Sequence, residues 1–265
     1  KKMLPLVWGP FYGRFDNLRE VQRLAVPVVL GGSNALIISS TAGGKTEAVF
    51  APLTQRLIME GWQGTSIIYI SPTRALASDI RGRLESMLTP LGIKAALRSG
   101  DIKELDRTNP QDVLVTTPES LDSMVSRMPA LLKDVRAIVL DELHMVDGSY
   151  RGDQLRILLR RIEALSNNPV SIYGASATVS DPMGLALRYM SSPIIVSSPG
   201  GRDIDYQIVP SLEKAARAFR EKELKKCLVF CNTPEEAETL ANGELRQWFP
   251  PSVLKVHHGK LQVPK

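Results

Sequence analysis

Ser39-Ser40-Thr41-Ala42-Gly43-Gly44-Lys45-Thr46 follows the apolar run Ala35-Leu36-Ile37-Ile38 and opens a segment of helical periodicity that runs from Thr46 to Glu60. A strand that passes through a glycine-bearing turn into a helix points the first backbone N–H groups of that helix at one place, where phosphate oxygens are bound. In that arrangement Lys45 neutralises phosphate charge and the Thr46 hydroxyl ligates Mg²⁺. Gly43 and Gly44 belong where the backbone must approach closely, in conformations that a Cβ obstructs. Two positions depart from the strict pattern: Ser39 stands where its first glycine would be, and Ala42 where glycine is frequent. By itself the segment is also compatible with an ordinary loop.

Working outward, further short apolar runs occur at Ser66–Ile70, Asp112–Thr116, Ala137–Leu140 and Val170–Tyr173, separated by helix-period segments such as Ala75–Leu91 and Asp153–Leu165. Continuous apolar strands alternating with amphipathic helices predict an α/β fold, a parallel sheet covered on both faces. Ligands of such sheets sit at the carboxyl ends of the strands, so the residues after each strand carry the chemistry. Asp141-Glu142-Leu143-His144 follows the run Ala137–Leu140. There Asp141 is placed to hold Mg²⁺ through water, and Glu142 to orient or deprotonate an attacking water. A surface acidic pair is the alternative.

Composition bounds the rest. The 265 residues, 43% of them hydrophobic, suffice for one or two domains with a buried core. The 33 Lys+Arg against 28 Asp+Glu give a formal net charge of +5, which favours a polyanionic partner without requiring one. No apolar run approaches a membrane span, and Lys1-Lys2-Met3-Leu4-Pro5 lacks a signal-peptide core, so the expected location is cytoplasmic, or nuclear in a eukaryote. The two cysteines, Cys227 and Cys231, fall in a run that reads as a strand, too far apart for a disulfide, and are expected to be small core thiols. Ser197-Ser198-Pro199-Gly200-Gly201-Arg202 reads as an interdomain linker. After it the pattern restarts, with strands expected at Asp205–Val209, Cys227–Cys231 and Val253–Val256, and helices at Ser211–Lys226 and Pro234–Trp248.

Taken in order, Gln22, Gly44-Lys45-Thr46, Pro72-Thr73-Arg74-Ala75-Leu76, Thr116-Thr117-Pro118-Glu119-Ser120, Asp141-Glu142-Leu143-His144 and Ser176-Ala177-Thr178 resemble the motif series of superfamily 2 DExH-box helicases. Lys45-Thr46-Glu47-Ala48, Tyr150-Arg151-Gly152 and His257-His258-Gly259 are most similar to the Ski-type and Lhr-type branches. The resemblance implies a first RecA-like ATP-binding domain over residues 1–198 and an incomplete second one over 199–265. It implies ATP and Mg²⁺ as cofactors, with ATP held by Gln22, Thr41, Gly43, Gly44, Lys45 and Thr46, and the metal by Thr46 and Asp141. Gln22 would read the adenine edge, and Lys45, Asp141, Glu142 and His144 would serve catalysis, with His144 linking the ATP site to the domain interface. Ser176 and Thr178 would couple hydrolysis to movement of nucleic acid.

The implied partner is single-stranded or partly duplex nucleic acid, with DNA favoured over RNA and no membrane involved, within a larger complex or a longer chain. Thr73, Arg74, Gly100, Thr116 and Thr117 are the candidates for a track along its phosphate–sugar backbone. Helix capping is an alternative, compatible role for the threonines. The family's later motifs, including an arginine that completes the ATP site, find no match before Lys265, so the expectation is ATP binding with poor hydrolysis. The leading function is ATP-driven movement along one strand. Translocation on duplex, as in restriction or antiviral defence assemblies, and an ATP-gated clamp without turnover are the alternatives.

Overall fold

The computed structural model describes residues 1–40, 43–100, 102–104, 111–177, 179–198 and 206–258. The chain divides into two compact units, Lys1–Arg202 and Asp203–Lys265. In chain order the first carries α1 (Trp8–Tyr12), α2 (Glu20–Leu30), β1 (Ala35–Ile38), α3 (Lys45–Met59), β2 (Ile67–Ile70), α4 (Arg74–Leu88), β3 (Ala95–Ser99), β4 (Ile102–Lys103) and β5 (Val113–Thr116). Then follow α5 (Pro118–Arg127), β6 (Ala137–Leu140), α6 (Tyr150–Leu165), β7 (Ser171–Ser176), α7 (Pro182–Tyr189) and β8 (Ile194–Ser197).

One sheet results, in the order β4-β3-β5-β2-β6-β7-β1-β8. Its pairings are parallel except for β4, which runs antiparallel to β3 at the edge. Strands β1, β2, β5 and β6 are buried at every position, which is why they read as unbroken apolar runs. Alternate residues feed two cores. Ile67 and Tyr69 join Phe50 of α3 and Leu84 of α4 on one face, whereas Ile68 and Ile70 meet Leu121 of α5 and Leu158 of α6 on the other.

The helix starts explain how the carboxyl edge is built. Thr73 caps α4 by accepting the Leu76 N–H, Ser149 caps α6 through the Gly152 N–H, and Asp181 caps α7 through the Gly184 N–H. Pro118 opens α5, where its missing N–H costs no helical bond. α4 and α5 start within four residues of the ends of β2 and β5, so short loops pass directly from sheet to helix there, whereas α6 follows β6 after a 3₁₀ turn at Leu143–Met145.

In the second unit α8 spans Leu212–Glu221 and α9 Pro234–Asn242, followed by a 3₁₀ turn at Glu244–Gln247. Both helices lie inside the segments expected from the sequence and end earlier. The strands expected at 206–209, Cys227–Cys231 and Val253–Val256 do not form; Asp205 lies outside the described residues. Leu228 and Phe230 are instead exposed, at 83% and 89%. A parallel strand draws its hydrogen bonds from neighbouring strands, and no described residue of this unit supplies one. For the same reason Cys227 is exposed and Cys231 half-exposed, correcting their reading as core thiols.

Candidate nucleotide and strand sites

Strand order decides what meets at the rim. β7 lies between β6 and β1, so the carboxyl ends of these three strands bring Asp141, Ser176 and the loop before Lys45 side by side. Here a cavity of about 520 Å³ is lined by Gln22, Gly43, Gly44, Lys45, Thr46, Asp141 and Glu142. Gln22 and four residues of the phosphate loop thus share one space with the acidic pair, nearly 100 positions away from the loop in sequence. Thr41 lies outside the described residues.

The loop is locally over-determined. Gly44 adopts φ +84°, and a Cβ there would stand 2.5 Å from Gln22 Nε2. A Cβ on Gly43 would meet Ser39 Oγ at 2.3 Å and the Ser40 carbonyl oxygen at 2.8 Å, and the backbone contact makes this position require glycine. Lys45 is 8% exposed and donates from Nζ to the carbonyls of Ser39, at 2.9 Å, and Ser40, at 3.3 Å. The ammonium therefore lies across the loop that α3 begins from.

Gln22 is 5% exposed, not a surface residue. Its Oε1 accepts the Arg19 N–H at 3.0 Å, satisfying the backbone donor at the N-cap of α2, and its Nε2 donates to the Gly44 carbonyl at 3.4 Å. One amide thus ties the N-terminal segment to the phosphate loop. Phe15, 45% exposed, lines the same cavity with Arg14 stacked 4.9 Å from its ring centroid.

Burial raises the Asp141 carboxyl above the ordinary aspartate range against the Tyr69 hydroxyl beside it, which favours the charged form. Tyr69 is 1% exposed, faces both the Asp141 carboxylate and the Thr46 hydroxyl, and is itself pushed well up by burial and by Asp141. It reads in sequence only as a core strand residue, yet it bridges the two expected metal ligands. Hard oxygen donors of this kind suit Mg²⁺, which completes its shell with waters and substrate phosphates. Glu142 stands in the left-handed region at φ +41°, an uncommon state for a residue with a Cβ and one found at strained functional positions.

His144 joins this acidic box to the end of β7. Its Nδ1 accepts the Ala177 N–H at 3.3 Å, stands 3.2 Å from Ser176 Oγ and 3.5 Å from Glu142 Oε2. Because the Ala177 amide can only donate, Nδ1 is the acceptor and the neutral ring carries its proton on Nε2. Ser176 is fully buried. Thr178 lies outside the described residues.

Farther along the rim, the ends of β2, β3 and β5 meet. Arg74 is exposed at the first position of α4, and its guanidinium packs over Gly100, where a Cβ would fall 2.6 Å from Cζ at φ +58°. Ser120 Oγ accepts the Gly100 N–H at 3.2 Å and the Thr117 hydroxyl at 3.3 Å. The side chains of the two threonines are turned away from solvent. Thr116 is fully buried with its hydroxyl donated to the Arg98 carbonyl at 2.8 Å, and Thr117 is 3% exposed. Ser120 beside them is half-buried.

A parallel sheet with a phosphate loop after one strand and an acidic pair after another, two places away, defines a nucleotide-binding motor domain of the P-loop class. The chain belongs to the DEAD/DEAH box helicase family, whose profile matches residues 19–184. It is 36% identical over 200 residues to the Lhr helicase/probable uracil glycosylase of Mycolicibacterium smegmatis, a match covering 67% of this chain and 13% of that protein. Against the ATP-dependent helicase Lhr-Core of Sulfolobus acidocaldarius it is 30% identical, covering 97% of this chain and 34% of the relative. The structure of Mycobacterium smegmatis helicase Lhr bound to ssDNA and AMP-PNP superposes with a TM-score of 0.76 at 30% identity, covering 97% of this chain and 38% of that one. The fold is thus the RecA-like helicase fold, and the chain spans between 13% and 38% of the length of these relatives. Among the described residues no helix is long and apolar enough to cross a membrane.

Proposed function

We propose that this chain carries the ATP-binding portion of a helicase motor that hydrolyses ATP to move along single-stranded DNA or RNA, with DNA favoured. The convergence of Gln22, Gly44, Lys45, Thr46, Asp141 and Glu142 on one cavity is the observation that supports this most strongly. Lys45 and the backbone amides of the α3 N-terminus receive the triphosphate, and Gln22 holds the adenine edge from a position its two hydrogen bonds already fix. Phe15 offers the base an apolar face. Thr41 and Thr178 keep their sequence-based roles in ATP binding and coupling.

Thr46 and Asp141 hold Mg²⁺, which when bound neutralises phosphate charge. Glu142 receives the proton of the attacking water, and the contact of His144 with Ser176 and Ala177 passes the state of that site to the end of β7. The strand runs over Thr73, Arg74, Gly100 and Ser120: Arg74 supplies charge, Ser120 an O–H, and the Gly100 turn lets the backbone come close. In this reading residues 199–265 belong to a second RecA-like domain. A protein with this work resides with nucleic acid, in the cytoplasm or a nucleus.

Equilibrium binding of a fluorescent ATP analogue tests the nucleotide assignment. Lys45→Ala should weaken it about tenfold or more, the scale of a lost charge-assisted contact. Undiminished affinity would remove Lys45 from the site.

A further inference from the structure

Tyr150-Arg151-Gly152 is a family-like motif that neither the nucleotide site nor the strand track uses. The structure explains its glycine first. A Cβ on Gly152 would stand 2.5 Å from the Val146 carbonyl oxygen and 2.7 Å from the Tyr189 hydroxyl, so only glycine lets α6 begin this close behind the acidic box. Ser149, the α6 cap, donates its own hydroxyl to the same Val146 carbonyl at 2.5 Å. The first turn of α6 is therefore fixed, and with it the origin of the Arg151 side chain.

That side chain spans two other loops. Its Nε donates to Glu119 Oε1 at 2.7 Å, and its second guanidinium arm donates to the Pro72 carbonyl at 2.6 Å. Pro72 lies two residues before Arg74, and Glu119 one before Ser120. Burial works against ionisation of Glu119, but the Arg151 bond and charge, with its other hydrogen bonds, hold it below the ordinary range. The guanidinium fork is thus committed to a carboxylate on α5 and a carbonyl leading into α4, and both segments carry proposed strand-binding groups.

We propose that Arg151 is a positioning residue of the strand track: it sets the spacing between Arg74 and Ser120 that one nucleic-acid backbone must match. The inference rests on the strand-track reading above. It also ties that spacing to the turn that follows Asp141 and Glu142, since α6 starts from it.

Anisotropy of a fluorescein-labelled oligodeoxythymidylate, titrated with the full chain across a salt series, separates the possibilities. Arg151→Ala should weaken binding about tenfold with an unchanged salt slope, whereas Arg74→Ala, losing a phosphate contact, should also lower the slope by about one. Arg151→Lys should behave like Arg151→Ala, because one ammonium cannot reproduce the fork. Arg151→Ala and Glu119→Gln should be non-additive, with ATP-analogue affinity and melting temperature retained in each. A reduced slope in Arg151→Ala would make it a direct phosphate contact instead. Joint loss of ATP binding, DNA binding and melting temperature would reduce it to a structural residue. Full DNA affinity in Arg151→Ala alone would overturn the clamp, and full affinity in Arg74→Ala as well would overturn the track itself.

Discussion

Gln22 shows how one side chain carries structural and proposed chemical roles together. Its amide accepts the Arg19 N–H at the start of α2 and reaches the Gly44 carbonyl, so Gln22→Ala should lower stability by about 1 kcal/mol as well as weaken ATP binding, measured by thermal melting and analogue titration. Asp147 is a purely structural counterpart. Arg188 bonds both its oxygens, at 3.0 and 2.6 Å, and this holds its carboxyl below the ordinary aspartate range despite partial burial. A depressed folded-state value stabilises the fold above the unfolded value and ceases to do so as pH falls through the depressed one. Arg188→Ala should therefore melt earlier than the parent at neutral pH, and the gap should close in acid; a gap independent of pH would refute the ion-pair account. At this scale the sequence showed which residues carry the motifs but not their exposure: Gln22 turned out buried, and Thr116 and Thr117 are inside the rim they were expected to line.

Elements were legible where each one buries itself within the chain. The runs at β1, β2, β5 and β6 are apolar throughout because helices cover both faces, and that pattern is visible one strand at a time. Cys227–Cys231 has an equally apolar run, but pairing depends on a neighbour that composition does not reveal, and among the described residues it stays without one. Tyr69 was hidden for a related reason, since its strand parity makes it core while its hydroxyl meets Asp141 and Thr46. The tight start of α6 belongs to this scale too. Gly152→Ala drives a Cβ against backbone rather than a flexible side chain, and should cost about 1–3 kcal/mol in chemical denaturation. Wild-type stability in that variant would show that the turn after the acidic box yields easily.

Over the whole chain, the sheet acts as a fixed frame whose strand order sets two neighbouring sites on one rim. The ends of β6, β7 and β1 gather the proposed nucleotide residues, and the ends of β3, β5 and β2 the proposed strand residues. β2 and β6 are adjacent, so Tyr69 and the Pro72 carbonyl belong to one strand and its exit, while Asp141 and Arg151 follow the other. The proposed motor rests on that adjacency, and it predicts that occupation of one site stimulates the other. The decisive measurement is steady-state ATP hydrolysis by this chain with and without single-stranded DNA, beside Glu142→Gln. The account predicts that single-stranded DNA raises the rate, and that Glu142→Gln lowers it about a hundredfold or more while still binding the ATP analogue. A rate unaffected by DNA, or unchanged in Glu142→Gln, would contradict it.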